Sequence, residues 1–169
     1  MEAMIDIETL DILDTAVVYQ VGILIFKGAK VVDKKLINMD VKEQLRAQRT
    51  ISSDTMRFHL EGDHSLDMLN ALADNTTYSI EGLQNALQFY GVTSDIDIWW
   101  SKGNFDFPIL NSLLGGNVPW KFYQLGELRT LMKACNIPKT KTAHTALADC
   151  EEQFKALKKC RAIIRKGLK

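Results

Sequence analysis

Two acidic residues near the N-terminus have the type and spacing of metal ligands. Asp6 and Glu8 lie two positions apart in the apolar run 4–10. In a β-strand, residues i and i+2 point to the same face, so the two carboxylates would project together. Burying such a pair without a partner costs on the order of several kcal/mol. The pair therefore lies in solvent or binds a cation.

Three later residues could complete a metal site. Asp106 follows a predicted strand that ends at Ser101, and His144 and Asp149 belong to the start of the last predicted helix. On a helix, positions 144 and 149 lie about 140° apart, so they do not share a ligand face. We therefore expect His144 at or just before the first turn, and Asp149 on the floor of the same site.

The chemistry of such a site would be phosphodiester hydrolysis. Four converging carboxylates repel one another unless cations lie among them, and two divalent ions about 3.5–4 Å apart satisfy this charge. Oxygen ligands favour Mg²⁺ or Mn²⁺ over zinc. One ion lowers the pKa of the attacking water and the other stabilises the leaving oxygen. Histidine titrates near neutrality, so His144 is a candidate to take the water's proton.

Each residue alone has a commoner structural explanation. An Asp-x-Glu at a strand end is usually solvated, and an acid such as Asp106 at a helix start is more often a cap or a dipole partner. His144 alone would be structural or exposed, and Asp149 an ordinary acid on a helix surface. Their joint occurrence, in this order and on these elements, favours the metal site.

The order of predicted elements indicates one α/β domain over residues 1–169. Three antiparallel strands come first, a helical stretch follows, and one further strand is succeeded by more helices, which predicts a mixed sheet flanked by helices. The predicted strands are 2–7, 16–26, 31–39, 95–101 and 121–124. The predicted helices are 41–49, a short one near 56–59, one from Ser65, one from Thr77 or Ser79 to Gly91, and 105–114, 125–135 and 143–166.

Composition excludes several classes of protein. Lys and Arg number 21, as do Asp and Glu, so the chain is not a strongly basic coat protein of nucleic acid, although an enzyme acting on nucleic acid stays open. Its three cysteines have no C-x-x-C spacing and predict reduced thiols in a cytoplasmic compartment. We expect no secretory leader and no membrane partner, since no apolar run approaches the roughly 20 residues needed to span a bilayer.

The three motifs resemble those of the DEDDh 3′-to-5′ exonucleases in the ribonuclease-H-like superfamily. They are Asp6-Ile-Glu8-Thr9, Asn104-Phe-Asp106 and His144-Thr-Ala-Leu-Ala-Asp149. The His-Asp separation is typical of the "h" subclass. The segment Trp-Trp-Ser-Lys-Gly, the segment Phe-Asp-Phe-Pro-Ile-Leu and the stretch Ser53-x-Thr55-x-x-Phe58 are similar to the phage exonuclease A and bacterial ribonuclease AS types.

The resemblance implies a role for each matched residue. The four carboxylates would be the metal ligands, and His144 the general base. Thr9 and Leu10 would meet the 3′-terminal nucleotide, Thr9 through the main chain and Leu10 through apolar contact. Phe58 would stack on an unpaired base, or would instead anchor the short helix in the core.

We therefore expect a ribonuclease-H-like fold and a metal-dependent exonuclease that releases nucleoside monophosphates from single-stranded 3′ ends. The compact size and the Phe-Asp-Phe-Pro-Ile-Leu match favour DNA slightly, and an RNA-trimming enzyme is the alternative. Further alternatives are an inactive binding module of the same fold and a scaffold whose acids are solvated by chance. Several members of the family that the chain resembles form dimers, so a homodimer is an alternative to a monomer, although the sequence contains no recognisable dimer interface. For a phage-encoded enzyme, the compartment would be the host cytoplasm.

Overall fold

Five β-strands and seven α-helices make up the computed structural model, which describes residues 1–62, 65–139 and 144–167. The strands are β1 (Glu2–Thr9), β2 (Val18–Lys27), β3 (Lys30–Asn38), β4 (Ile98–Ser101) and β5 (Leu125–Glu127). The helices are α1 (Val41–Arg46), α2 (Ser53–Glu61), α3 (Ser65–Ala73), α4 (Ile80–Thr93), α5 (Asp106–Leu113), α6 (Leu128–Ala134) and α7 (Ala146–Gly167).

The strands form one mixed sheet in the order β3-β2-β1-β4-β5. β1 pairs antiparallel with β2, which pairs antiparallel with β3. On its other side β1 pairs parallel with β4, and β4 pairs parallel with β5. The prediction of three antiparallel N-terminal strands with parallel additions is confirmed, and β1 lies at the centre of the sheet.

Alternation along β1 separates two hydrophobic layers. Ala3, Ile5 and Ile7 face a core cluster that includes side chains of α4 and α5. Met4 faces the opposite cluster, which is built from α6 and α7. Because residues of one parity share a face of a strand, Asp6 and Glu8 lie on the Met4 side, under α7.

A third, smaller cluster lies beyond the end of β1. Leu10, Val17 and Tyr19 are buried there against Met68 of α3. Helix α3 therefore covers the segment that leaves the acidic end of β1. Among the described residues, no helix combines the length and the apolar character needed to cross a bilayer.

The prediction for residues 121–135 was wrong in its boundaries. Phe122–Gln124 is one turn of 3-10 helix, the strand β5 comes after it, and α6 begins only at Leu128. Gln124 closes this turn, because its side-chain oxygen accepts from the Lys121 N–H and its amide donates to the Ile96 carbonyl, both at 2.9 Å. Glu127 then caps α6 by accepting from the N–H groups of Arg129 and Thr130.

Other helix ends also differ from prediction, and α1 ends at Arg46 instead of Arg49. Helix α4 continues past Gly91 to Thr93, and the absent side chain of Gly91 instead makes room for Pro119, since a Cβ there would lie 2.7 Å from the proline. Helix α7 begins at Ala146. The predicted start at Ala143 lies outside the described residues.

Candidate active site

The acidic centre is formed where β1 meets α7. Asp6 and Glu8 come from the strand, and Asp149 comes from the first turn of the helix. One carboxylate oxygen of each lies within 4.8 Å of the others. The structure thus brings these three predicted ligands together.

Asp106 reaches the same centre from the first residue of α5. Its Oδ1 accepts a hydrogen bond of 3.2 Å from the backbone N–H of Ile7, the residue between the two β1 acids. Asp106 also lines a cavity of about 220 Å³ together with the three clustered acids. The other lining residues are Ile7, Lys102, Phe105, Arg129 and His144.

Gly22 allows α7 to approach the sheet at this point. It pairs with Asp6 in the register of β1 and β2, and a Cβ on it would lie 2.4 Å from the backbone of Ala146. The N–H of Ala146 donates to the side-chain oxygen of buried Gln20 at 2.9 Å. Gln20 is the pairing partner of Glu8, so residues of β2 position the start of α7 over both acids of β1.

Gln153 holds one of the acids in place. It lies four residues after Asp149 and hence on the same side of α7. Its amide nitrogen donates to Asp6 Oδ1 at 2.5 Å, and the residue is 1% exposed. This donor stabilises the charged form of Asp6 and fixes the direction of its carboxylate.

Burial and mutual repulsion disfavour the charged forms of these acids. Burial raises the pKa of Asp6 well above its usual range, with further increases from Asp106 and Glu8. Burial, followed by the charge of Asp149, raises the pKa of Glu8 to about 8. Burial raises the pKa of Asp106 to about 7, against the lowering effect of the Ile7 N–H.

The donor set fits divalent cations. Four carboxylates on one small cavity supply oxygen ligands. The raised pKa values of Asp6, Glu8 and Asp106 show that burial disfavours the charged forms of these three, and neighbouring carboxylates add to the effect at Asp6 and Glu8. Arg129 lowers the pKa of Asp106, yet the pKa stays raised. A positive charge bound among these oxygens would reverse the repulsion.

His144 lies just before α7, as expected. Its backbone has a φ of 56°, and its N–H donates to Asp149 Oδ2 at 3.1 Å. Its ring is in edge contact with Phe58, with 5.9 Å between the centroids. The half-buried imidazole thus lines the acidic cavity beside a ligand candidate and an aromatic ring.

A groove of about 420 Å³ adjoins the acidic cavity, and the two share Ile7, Glu8 and Phe105. Thr9 lines the groove and is largely buried. Its carbonyl accepts a hydrogen bond from His59 Nε2 at 2.9 Å. Phe58 lines it too and is 57% exposed, so it is not a core anchor for α2.

The side chain of Leu10, by contrast, is turned away from this groove. It is 2% exposed and packs with Val17 and Tyr19. The pairing of β1 with β2 shifts by one residue between Glu8 and Thr9, and such irregularities re-aim the side chains that follow. Ile12, which is 73% exposed, is the apolar side chain that this segment gives to the groove.

Several residues of the site were not singled out from the sequence. Gln153 had a usable signal in its helical spacing from Asp149. Gly22, Gln20 and Ile12 had none, because their roles depend on strand register and on a shift in pairing. The sequence suggests no role for His59, which neighbours Phe58. In the structure its side chain is 4% exposed and donates to the Thr9 carbonyl.

Comparison with known proteins agrees with this architecture. A full-length 3′-exonuclease superposes with a TM-score of 0.54 at 10% identity, over 98% of this chain and 81% of that one. Cell-death related nuclease 4 (CRN-4) superposes with a TM-score of 0.51 at 9% identity, over 96% of this chain and 64% of that one. At identities this low, the superpositions show that the fold is shared. No curated protein matches the sequence significantly.

The sequence itself matches a family model over most of its length. The model is that of the 3′-5′ exoribonuclease Rv2179c-like domain, and it covers residues 1–161, which include every residue of the acidic cavity. The chain therefore belongs to the family of 3′-5′ exoribonuclease Rv2179c-like domains, and it is a 3′-5′ exonuclease.

Proposed function

We propose that this exonuclease depends on two divalent cations, Mg²⁺ or Mn²⁺, and releases nucleoside monophosphates from the 3′ end of single-stranded RNA. The observation that carries the proposal is the cavity on which Asp6, Glu8, Asp106 and Asp149 converge. Among the described residues, Asp6, Glu8 and Asp149 form the only group of three potential metal ligands whose ligand atoms lie within 4.8 Å of one another.

The four carboxylates would hold the cations. When bound, the two ions would lower the pKa of a water molecule and offset the charge that develops on the phosphate and on the leaving oxygen. Gln153 keeps Asp6 oriented for this role, and the Ile7 N–H does the same for Asp106.

His144 would accept the proton in the hydrolytic step. As the water oxygen forms its bond to phosphorus, an unprotonated imidazole nitrogen takes a proton from that water, and the bond from phosphorus to the 3′ oxygen of the preceding nucleotide breaks. The released 3′ oxygen takes a proton from solvent, and the imidazole returns its proton to solvent. The hydrogen bond from the His144 N–H to Asp149 holds the histidine beside the ligands.

The groove beside the cavity would hold the terminal nucleotide. Its volume of about 420 Å³ lies within the range of small-ligand pockets. Exposed Phe58 offers a ring face for stacking on any base, worth roughly 1–3 kcal/mol, and Ile12 adds an apolar wall. The groove ends at Glu8 and Thr9, so the sugar of the last nucleotide would lie next to the acidic cavity.

The description of the family as exoribonucleases supports RNA as the substrate, whereas the sequence alone had favoured DNA slightly. Enzymes separate the two by groups that read the 2′-hydroxyl. The polar side chains of Glu8, Ser52, Asp54 and Thr55 along the groove are the candidates for this contact.

A digestion of matched single strands tests the proposal. RNA and DNA of one sequence, each labelled at the 5′ end, are incubated with Mg²⁺ or Mn²⁺. We expect a ladder of labelled products that shorten from the 3′ end, formed faster on RNA. Early release of a labelled mononucleotide, or a few internal cuts without a ladder, would contradict the polarity.

Substitution of one ligand provides the control. Asp106→Asn should lower the rate by about 100-fold or more, as expected when a group that supports charge stabilisation is removed. Asp97→Asn is the matched variant, because Asp97 is exposed and lies beside the N-terminus. Strand binding by the wild type without cleavage would instead support the inactive binding module, and equal rates on DNA would remove the preference for RNA.

A further inference from the structure

Two grooves continue from the acidic cavity, and neither shares a described lining residue with the groove of Phe58. The first, of about 310 Å³, shares Lys102 and Arg129 with the cavity. The second, of about 800 Å³, shares Ile137 and Lys139 with the first. The two grooves therefore form one path that begins at the candidate ligands and runs beside α7.

The cations along this path form what we call the cationic track. Its members are Lys102, Arg129, Lys133, Lys139, Lys155, Lys158 and Lys159. The only acid among the described lining residues is Glu152, which pairs with Lys155 at 2.5 Å. In a chain whose acids and bases are equal in number, seven cations against one acid is a strong local excess of positive charge.

The floor of the track is aliphatic. Ile137, Pro138, Ala156 and Ile163 line the wider groove, and the described lining residues include no aromatic ring. Lys158 lies over the ring of Phe154, at 4.7 Å from its centroid, and covers that ring. The track thus lacks a platform for base stacking, and its polar contacts would be with a chain of negative charges.

The length of the track suits a short stretch of polymer. From Asp149 to Lys159 the helix rises about 15 Å, at about 1.5 Å per residue. A stacked strand rises about 3.4 Å per nucleotide, so this distance corresponds to roughly four or five nucleotides. A mononucleotide or a metal ion would leave most of the track unused.

We propose that the cationic track binds the phosphate backbone of the strand on the 5′ side of the scissile bond, over roughly four or five nucleotides. The identity of the polymer rests on the proposed function. The groove of Phe58 and Ile12 holds the nucleotide to be released, and the track leads from a different part of the same cavity, at Lys102 and Arg129. Contacts to phosphates, without base readout, make this binding independent of sequence.

Strand binding at several salt concentrations tests the track. The anisotropy of a fluorescent 20-nucleotide strand is followed in the presence of a chelator, which keeps the strand intact. For single strands the logarithm of the binding constant falls with the logarithm of salt with a slope of about −0.7 per phosphate neutralised. Lys139→Ala/Lys159→Ala should reduce the steepness of this slope by about 1.4. The double variant should also weaken the binding of strands of different sequence to the same degree.

The matched control removes two lysines at the far end of the sheet. Lys27 and Lys30 flank the β2–β3 turn, and Lys27→Ala/Lys30→Ala should keep the wild-type slope. The proposal would be overturned if the wild type and the track variant had equal slopes. It would also be overturned if the track variant and the control variant lost the same amount of slope. Lys133→Gln/Lys139→Gln repeats the test on α6 and the segment that follows it, in case the first variant melts below the wild type.

The outcomes separate the track from the proposed function. If the wild type degrades the strand with Mn²⁺ while the track variant keeps the wild-type slope, the proposed reaction is supported and strand binding by the track is contradicted. If the wild type degrades no strand with either ion but the slope depends on the track, strand binding stands and the proposed reaction is wrong.

Discussion

At the scale of single residues, the site is a cluster of like charges that the fold itself does not neutralise. The pKa values of Asp6, Glu8 and Asp106 are all raised, mainly by burial. Only a few groups counteract this effect, and Gln153 is one of them through its hydrogen bond to Asp6. The arrangement costs stability in the absence of a cation and is therefore expected at a functional site.

Replacing the hydrogen-bond donor should weaken cation binding while the ligands remain. In Gln153→Leu, Asp6 loses a side-chain donor that lowers its pKa, so the pKa should rise further and protons should compete better with Mn²⁺. Loss of such outer contacts typically costs about 10–100-fold in metal affinity. Titration calorimetry with Mn²⁺ at pH 7 would measure the change.

A glutamine on the far side of the sheet supplies the control. Gln84 belongs to α4, which packs on the other hydrophobic layer, and Gln84→Leu should bind Mn²⁺ as the wild type does. A Gln153→Leu protein with unchanged Mn²⁺ affinity would show that Asp6 needs no support from α7.

The same residues show how far the sequence could predict the site. Asp6, Glu8, Asp106, His144 and Asp149 were found because their chemistry needs charged types at regular positions of strands and helix starts. Leu10 continues the alternation of the two β1 acids, and its burial follows from a shift in strand pairing that no local pattern reveals.

At the scale of elements, the contact between β2 and α7 decides where two of the motifs meet. The backbone of Ala146 packs directly on Gly22, which pairs with Asp6 in the sheet. The antiparallel pairing of the first three strands could be predicted from the run of β-rich segments. The crossing point could not, because a glycine inside a strand can also mark a bend or a bulge.

A single methyl group at this crossing should displace the start of α7. In Gly22→Ala the added Cβ meets backbone atoms, which cannot rotate away, so overpacking of about 1–3 kcal/mol is expected. His144 and Asp149 would move with the helix, so Mn²⁺ affinity and nuclease rate should fall together. Thermal melting combined with Mn²⁺ titration would detect both effects.

Gly167 provides the comparison on the same helix. No atom lies within 4 Å of a Cβ built there, so Gly167→Ala should keep the wild-type melting temperature within about 1–2 °C and bind Mn²⁺ normally. If Gly22→Ala behaves like Gly167→Ala, the close approach does not control the site.

The boundaries of the 121–135 segment illustrate a different limit at this scale. The apolar spacing of Leu125 and Leu128 fits a helix, yet Leu125 belongs to an edge strand and α6 starts at Leu128. Gln124 and Glu127 set these boundaries through side-chain hydrogen bonds to backbone groups. Such bonds compete with local propensity, and the one from Gln124 to the Ile96 carbonyl depends on a residue distant in the chain.

At the scale of the whole molecule, a net charge of zero conceals a separation of charge. Buried acids gather at the centre of the sheet, and the cationic track runs from them along α7. Composition could exclude a uniformly basic protein, but the separation depends on how helices and strands are placed. A cation bound at the acids would make the whole path attractive to a polyanion.

The stability of the metal-free protein should fall as pH rises from about 4.5 to about 8. The pKa of Glu8 is 4.5 in the unfolded chain and about 8 in the fold, and the pKa of Asp106 rises from 3.8 to about 7. Between these limits the folded state binds more protons than the unfolded state, so the free energy of unfolding decreases with pH. Below about pH 4 both states are protonated at these groups and the penalty disappears.

Melting temperatures at pH 5, 6.5 and 8 would measure this dependence, with a chelator and with Mn²⁺. A decrease of 1 kcal/mol lowers the melting temperature of a chain of this size by about 2–4 °C. Mn²⁺ should restore the loss at pH 8, where its ligands are ionised in the complex. Glu8→Gln removes one titrating group, so its chelated form should lose less stability between pH 5 and 8 than the wild type. Equal losses in the two proteins would show that burial of Glu8 does not destabilise the fold, and the need for a bound cation at this position would lose its physical basis.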